Sequence, residues 1–599
     1  MTAQPSPPFR KVVWRLIRTQ PVRYSFALAL WTAIWTMPIL TGLIIAYFFD
    51  QLAAGMTVDT LTLVIVATFA YAAGRSVFIV LGMRNHGSLL FRAAATMRKN
   101  LLVRIYELPG AAAIEETPGE IVSRFRDDVE HVIEPFDITV DLAGALVAGS
   151  ISFALLFSID PAITIVISVP VLVVALVTNR TGGLVRSYRK AARHATEAIT
   201  GFLGETFAAT QAVKVAAAEA SMLNRFVELN ETRKEMMVKD RTLTAVLDAV
   251  FRNTVNIGTG LILLMAAGRL DATGDAGISI GEFALFIFLL HHVTEASYFI
   301  GVFVARARQG AVSVDRLTGT LRGEPWDRAY RRIDLGLDGT AAPSPTIPQT
   351  ALDPFESLAV RDLTFHYQGT DNGIESIDLD IARGEFVVVT GRIGSGKTTL
   401  LRAVLGLLPV DRGTIQWNGE RHIDAARDLT PPRSAYTPQV PKLFSMSLRD
   451  NLALGEEVTD HTMDESIYIA TMRHDIELMP EGMETMVGPR GVRLSGGQVQ
   501  RSASARMLTR QSQLIVLDDV SSALDVETEQ LLWKRLYNAR EHVAALVVSH
   551  RHAALARADR VIVLEGGRVA AQGTAAELQR DSETFRAIWE GAVDAATPE

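Results

Sequence analysis

Long apolar runs are confined to the first half of this chain, and they limit what it can fold into more than any other feature. Six of them fall within the first 310 residues: 24–49, 61–83, 140–159, 162–178, 243–267 and 280–304. Each approaches the roughly 20 residues a helix needs to cross a bilayer. Hydrocarbon offers no partner to a bare backbone N–H or C=O, so such runs are expected as helices. The lipid bilayer is therefore a predicted partner, and a wholly soluble fold is excluded. Composition agrees: 48% of the 599 residues are hydrophobic and only 21% are charged, less charge than soluble domains carry.

Other classes fall away quickly. There is no cysteine, which rules out disulfides, thiolate zinc sites and iron–sulfur clusters. A net charge of -7 argues against nucleic acid as a partner. The basic start (Arg10, Lys11, Arg15, Arg18, Arg23) leads into a run too long for a signal peptide. Residues 1–23 read instead as a cytoplasmic amphipathic segment.

Charge sets the orientation. The connections 50–60 and 160–161 contain no Lys or Arg. The long connections 84–136 and 179–242 are crowded with them, from Arg84, Arg92 and Arg98 to Lys239 and Arg241. The positive-inside rule places both ends and both long connections in the cytoplasm. Connections of that length are not plain loops. With few glycines and prolines, they are expected as helical continuations of the spans. The expected location is the cell inner (plasma) membrane, multi-pass, with a cytoplasmic second half.

After a Pro/Ser/Thr-rich stretch, GTAAPSPTIPQTA at 339–351, apolar runs become short, as in an α/β domain. The organisation predicted is a membrane domain at 24–320, a linker at 321–351 and a soluble domain at 352–599. The buried-strand pattern 385–390 runs into GRIGSGKT at 391–398 and then a helical stretch. This is the phosphate-binding loop in its strand–loop–helix setting. Gly391, Gly394 and Gly396 let the backbone wrap a phosphate, with Arg392, Ser395 and Thr399 also on the loop. Lys397 offers charge to the β/γ-phosphates, and Thr398 a hydroxyl to Mg²⁺. ATP and Mg²⁺ are the predicted cofactors. A second strand, 514–517, ends in Asp518-Asp519, and a carboxylate at that tip suits Mg²⁺.

Between these lies Leu494-Ser-Gly-Gly-Gln498. Phosphate loop, LSGGQ and acidic strand tip, in this order, resemble the ATPase of ABC transporters. Six spans ahead of them resemble an ABC exporter half-transporter. The resemblance implies an α-helical six-span transmembrane domain of exporter type, followed by an α/β P-loop ATPase domain with a helical signature subdomain. It implies that Tyr367 stacks on adenine, and that Gln439 touches Mg²⁺ and senses the membrane domain. By the same resemblance His550 meets the γ-phosphate. Ser495, Gly496, Gly497 and Gln498 complete the facing subunit's site, so two ATP molecules sit at a dimer interface. Segments 117–129 and 204–213 resemble the regions around the two coupling helices.

Two positions depart from the family pattern. Asp519 stands where a Glu usually polarises the attacking water. The chain lost there is one methylene, about 1 Å, and such a misplacement costs on the order of 10²-fold. A heterodimer with one degenerate ATP site is favoured on that ground over a homodimer. Pro489 replaces a usual Glu before the signature. Within the spans, ionisable residues are candidate substrate-path groups: Arg75, Arg252, His291, His292 and Glu295, against a purely structural hydrogen-bond network. Trp35, Tyr298 and Phe299 offer an aromatic surface. The substrate is not legible. An importer on the same fold and a non-transporting regulatory protein stay open beside export.

Overall fold

The computed structural model describes residues 7–110, 116–267, 278–337, 353–421, 424–489, 491–539 and 543–591. Contacts divide the chain into two compact units. One comprises Met1–Leu102 with Pro118–Leu335, the other Val103–Thr117 with Gly336–Glu599. The 339–351 linker stretch lies outside the described residues.

The first unit is helical. Its described helices are α1 (Phe9–Thr19), α2 (Pro21–Ala53), α3 (Val58–Glu107), α4 (Pro118–Ser123), α5 (Val129–Ile159), α6 (Pro161–Ala208), α7 (Thr210–Val215), α8 (Glu219–Ala267) and α9 (Ile280–Thr320). All six apolar runs lie on long helices. Among the described residues, windows on α2, α3 and the α4–α5 stretch are long and apolar enough to cross a membrane. The run on α6 falls largely on residues whose side chains are outside the description. Helices α3, α6 and α8 have 50, 48 and 49 residues. At the α-helical rise each is about 75 Å long, more than twice the hydrocarbon thickness. The long connections are thus helical continuations of the spans. The short pieces α4 and α7 punctuate them inside the two segments that resembled coupling regions.

Local chemistry explains the corners. Asp160 caps α6, its Oδ1 accepting from Ala162 N at 2.8 Å and Ile163 N at 3.0 Å, and Pro161 fills the first helical position, where no N–H is needed. Ser279 and Glu282 form a reciprocal capping box on α9. Helix α5 is the centre of the unit, packed between α2 and α9. An ideal Cβ on Gly144 of α5 would lie 2.5 Å from Trp35 Cδ1. Only glycine lets that indole of α2 settle against α5.

The second unit carries two main sheets. Strands β1 (Ser357–His366), β2 (Gly373–Ala382), β3 (Phe386–Gly391), β4 (Arg412–Trp417), β5 (Glu420–Arg421) and β6 (Ser434–Thr437) come first. The pair β7 (Met446–Ser447) and β8 (Met486–Val487) follows, then β9 (Leu514–Asp518), β10 (Ala544–Val548), β11 (Arg560–Glu565) and β12 (Arg568–Gly573). The antiparallel sheet runs β2-β1-β4-β5 and the larger one β12-β11-β3-β10-β9-β6. In the larger, β11, β3, β10, β9 and β6 are parallel. Every residue of β3, β9 and β10 is buried, as the continuous apolar runs required. The register pairs Val548 with both Val389 and Asp518. The carboxyl ends of three strands therefore finish level, which is where open α/β sheets place ligands.

Helix α10 (Lys397–Val404) follows the β3 tip, and α11 (Ala425–Asp428) precedes β6. Helices α12 (Leu448–Ala453), α13 (Asp460–Ile469), α14 (Arg473–Glu477) and α15 (Gly496–Leu508) form a lobe with its own core of Leu448, Leu452, Met463, Ile467 and Met472. Helix α16 (Val526–Asn538) lies beyond β9.

Candidate nucleotide site

The loop between β3 and α10 is shaped by its glycines. Gly391, Gly394 and Gly396 have φ of 148°, 82° and 96°, in the region that favours glycine. A Cβ on Gly391 would fall 2.3 Å from Leu564 O. The ammonium of Lys397 folds over the loop and donates to Gly391 O and Arg392 O, both at 2.8 Å. Burial lowers its pKa, and the carboxylates of Asp519 and Asp518 oppose that fall.

At the neighbouring strand tip, Asp518 is fully buried. Thr398 Oγ1 donates to its Oδ1 at 3.0 Å and Tyr436 OH to its Oδ2 at 3.3 Å. Burial raises the Asp518 pKa against the pull of those donors and of Arg402 and Lys397. Tyr436 is pushed up to about 12, chiefly by burial and then by Asp518. Asp519 follows with φ 49°, a left-handed conformation costly for a side chain with a Cβ and typical of functional turns. Gln439 Nε2 donates to Asp519 Oδ2 at 3.4 Å, while Oδ1 is buried without a partner. Burial raises the Asp519 pKa too, opposed first by His550. His550 itself is exposed just beyond the end of β10.

One dense constellation thus joins Lys397, Thr398, Gln439, Asp518, Asp519 and His550. Tyr367 is half-exposed beside it, its hydroxyl 3.3 Å from Thr399 Oγ1 and its ring edge-on to Phe365. Two desolvated carboxylates, an orphaned oxygen, a threonine hydroxyl and an amide suit a hard divalent cation. The glycine cradle suits the phosphates it would accompany.

The signature residues occupy the start of α15. Ser495 caps the helix, its Oγ accepting from Gln498 N at 3.3 Å while Gln498 Oε1 accepts from Ser495 N at 2.9 Å. Behind them, Asp475 clamps Gln498 and Arg501. Gln500 holds the 521–525 loop, donating to Ser522 Oγ at 2.9 Å and accepting from Ala523 N at 3.1 Å. A Cβ on Gly497 would sit 2.9 Å from Ala523 O. Gly497→Ala is accordingly expected to push that loop away and destabilise the lobe by about 1–3 kcal/mol. Hydrogen exchange of residues 520–525 checks this; unchanged protection would contradict it.

The structure describes only some of the substrate-path candidates. His292 is buried, its ring packed on Phe288 and its Nδ1 3.4 Å from Phe288 O. Arg75 Nε is buried without a hydrogen-bond partner. The side chains of Arg252 and His291 lie outside the description. Sequence reasoning missed Tyr436 and Asp475, whose roles arise only by packing. It also missed Asp141, an ionisable residue inside the third span, which carried a visible signal.

The comparisons agree with this geometry. Residues 374–522 match the family described as ABC transporter, and residues 24–297 match the ABC transporter transmembrane region. A probable multidrug resistance ABC transporter ATP-binding/permease protein of Bacillus subtilis is 25% identical over 97% of each chain. An ATP-dependent lipid A-core flippase of Chromobacterium violaceum is 27% identical over 80% of this chain and 79% of its own. A bacterial Atm1-family ABC exporter solved with ATP bound superposes with a TM-score of 0.74 at 19% identity, covering 96% of this chain and 99% of that one. With both halves matched in one chain, and the phosphate loop, acidic strand tip and signature each seated on the element its spacing demanded, the protein is a member of the ABC transporter family, an exporter half-transporter that couples ATP hydrolysis to transport.

Proposed function

We propose that this chain is one subunit of a heterodimeric exporter in the cell inner membrane, with its N-terminus and ATPase domain cytoplasmic. The observation that carries the site assignment is the 3.0 Å bond from Thr398 to Asp518. It joins the phosphate loop to the acidic strand tip in one constellation. In this reading Lys397 and the loop amides bind the ATP phosphates and Tyr367 flanks the base. Thr398, Asp518 and Gln439 hold Mg²⁺, which when bound neutralises phosphate charge. Asp519 and His550 orient water and the γ-phosphate. Ser495 to Gln498 face the partner's nucleotide. Asp519, one methylene short, supports a slow site here and a competent one supplied by the partner.

Reconstitution with the natural partner tests the reading. ATP should drive vectorial flux in proteoliposomes; hydrolysis without flux of any substrate would favour a non-transporting role. Tyr436→Phe probes the metal assignment. Loss of one donor to a buried carboxylate should weaken the Mg²⁺ dependence of ATP binding by about 3–10-fold. Binding of ATP without Mg²⁺ should not change. Equal loss in both conditions would mean that Tyr436 serves the fold alone.

A further inference from the structure

Helix α15 carries a buried amide that the nucleotide constellation leaves unused. Gln500 is only 6% exposed. Desolvating a side-chain amide is costly unless both its ends are bonded. Here both are, and both to the loop that follows Asp519. Nε2 donates to Ser522 Oγ at 2.9 Å, and Oε1 accepts from Ala523 N at 3.1 Å. The reverse orientation would set the NH2 against the Ala523 N–H, so the amide has one way round.

That fixes the proton of Ser522. A hydroxyl has a single hydrogen, and with Gln500 donating to its oxygen, that hydrogen goes on to Asp519 O at 3.1 Å. The Ser522 N–H reaches the same carbonyl at 3.4 Å. Asp519 stands at φ 49°, a conformation that a side chain with a Cβ holds only when its surroundings impose it. The relay from Gln500 through Ser522 is one such constraint. Its bonds point the same way and reinforce one another. Gln439 touches the Asp519 carboxylate; Gln500 acts instead on the backbone from which that carboxylate projects.

The far side of the loop is tied to its own continuation. Ser521, fully buried, donates to Glu529 Oε1 at 2.9 Å, and Asp525 caps α16 by accepting from Thr528 N at 2.9 Å. Gln500 brings α15 to the loop from the other side. It sits five residues beyond Ser495, under a turn and a half of helix. Around that first turn Asp475 grips both Gln498, at 3.1 Å, and Arg501, at 2.7 Å. The start of α15 therefore moves as one piece, and a displacement of Ser495 is delivered to Gln500.

We propose that Gln500 is a positioning residue for Asp519, working through the Ser522 hydroxyl, so that the helix facing the partner's nucleotide sets the geometry of this subunit's own water-orienting carboxylate. This rests on the reading above, in which Ser495 to Gln498 face the partner's nucleotide and Asp519 orients water.

Gln500→Glu turns one hydrogen round. It keeps the side-chain length and the acceptor for Ala523 N, but offers Ser522 a charged acceptor in place of a donor. The hydroxyl then swings to the new carboxylate and leaves Asp519 O. The measurement is single-turnover hydrolysis at this subunit's own site in the intact complex in lipid nanodiscs. ATP is present in the partner's site, and hydrolysis there is blocked by substituting its own water-orienting carboxylate. The rate should fall about 5–10-fold, the loss expected for one hydrogen bond, while ATP affinity stays within about 2-fold. Ser522→Ala should give the same loss. The double variant should be no slower than either single one, because both cut one relay. Ser495→Ala should also slow this site, and should add nothing to Gln500→Glu. A residue serving the fold alone would instead weaken thermal stability and ATP affinity together with the rate. An unchanged rate in Gln500→Glu, or losses that multiply in the double variant, would overturn the proposal. Where Gln500→Glu does not assemble, Ser522→Ala with and without Ser495→Ala decides. The readings fail separately. Loss of steady-state turnover in Asp519→Ala sinks the degenerate site and spares the relay. A full wild-type rate in Gln500→Glu, beside intact turnover in Asp519→Ala, sinks the relay and spares the heterodimer.

Discussion

Lys397→Ala should lower ATP affinity at this subunit's own site by roughly 30–150-fold. The figure corresponds to loss of a charge-assisted contact of about 2–3 kcal/mol. In the structure the ammonium is already partly desolvated and folded onto two loop carbonyls at 2.8 Å. It is held ready over the place where phosphate charge arrives, so little reorganisation is needed on binding. Alanine removes this cation from beside Asp518 and Asp519, where the phosphate charge arrives. The measurement is equilibrium binding of ATP to the complex, with the partner's site silenced by its own phosphate-loop substitution. Unchanged affinity would contradict the assignment of the loop. A fall in thermal stability without nucleotide present would show a structural effect instead, and Lys397→Arg, which keeps the charge, separates the two.

Asp519 governs the second large effect. Its backbone stands in the left-handed region and one carboxylate oxygen is buried without a partner. The turn is therefore strained, as functional turns often are, and on the degenerate-site reading the side chain falls one methylene short of the attacking water. Asp519→Glu should raise single-turnover hydrolysis at this site on the order of 10²-fold by restoring the reach to the attacking water. If, as proposed, a partner's carboxylate performs the chemistry, Asp519→Ala should leave most steady-state turnover of the native complex intact. If alanine instead cut turnover on the order of 10²-fold with ATP binding preserved, Asp519 would be the working base. The degenerate-site reading, and the heterodimer that rests on it, would then fall.

A subunit that hydrolyses slowly still contributes its spans to the path. Substrate recognition and ATP chemistry are therefore open to separate measurement in one preparation.

Much of the fold was written locally. A run of about 20 apolar residues has one outcome in lipid, because only a helix satisfies its own backbone. Asp160-Pro161 and Ser279 with Glu282 mark helix starts by chemistry confined to four residues. The phosphate loop, the acidic strand tip and LSGGQ were legible because each is a contiguous segment whose backbone geometry follows from its own glycines and caps. What the sequence could not show is which distant segments meet. Tyr436 reaches Asp518 only because β6 and β9 lie side by side in parallel register. Trp35 meets Asp141 and Phe299 although each stands more than a hundred residues away along the chain, and no periodicity links them. His291 and Glu295 share a helix face by their spacing, but that spacing does not say which groups of other helices they meet. Spacing along one helix is set by neighbours in sequence. The pairing of charges between helices is set by packing, here by Gly144 yielding room for one indole, and only the tertiary structure decides that.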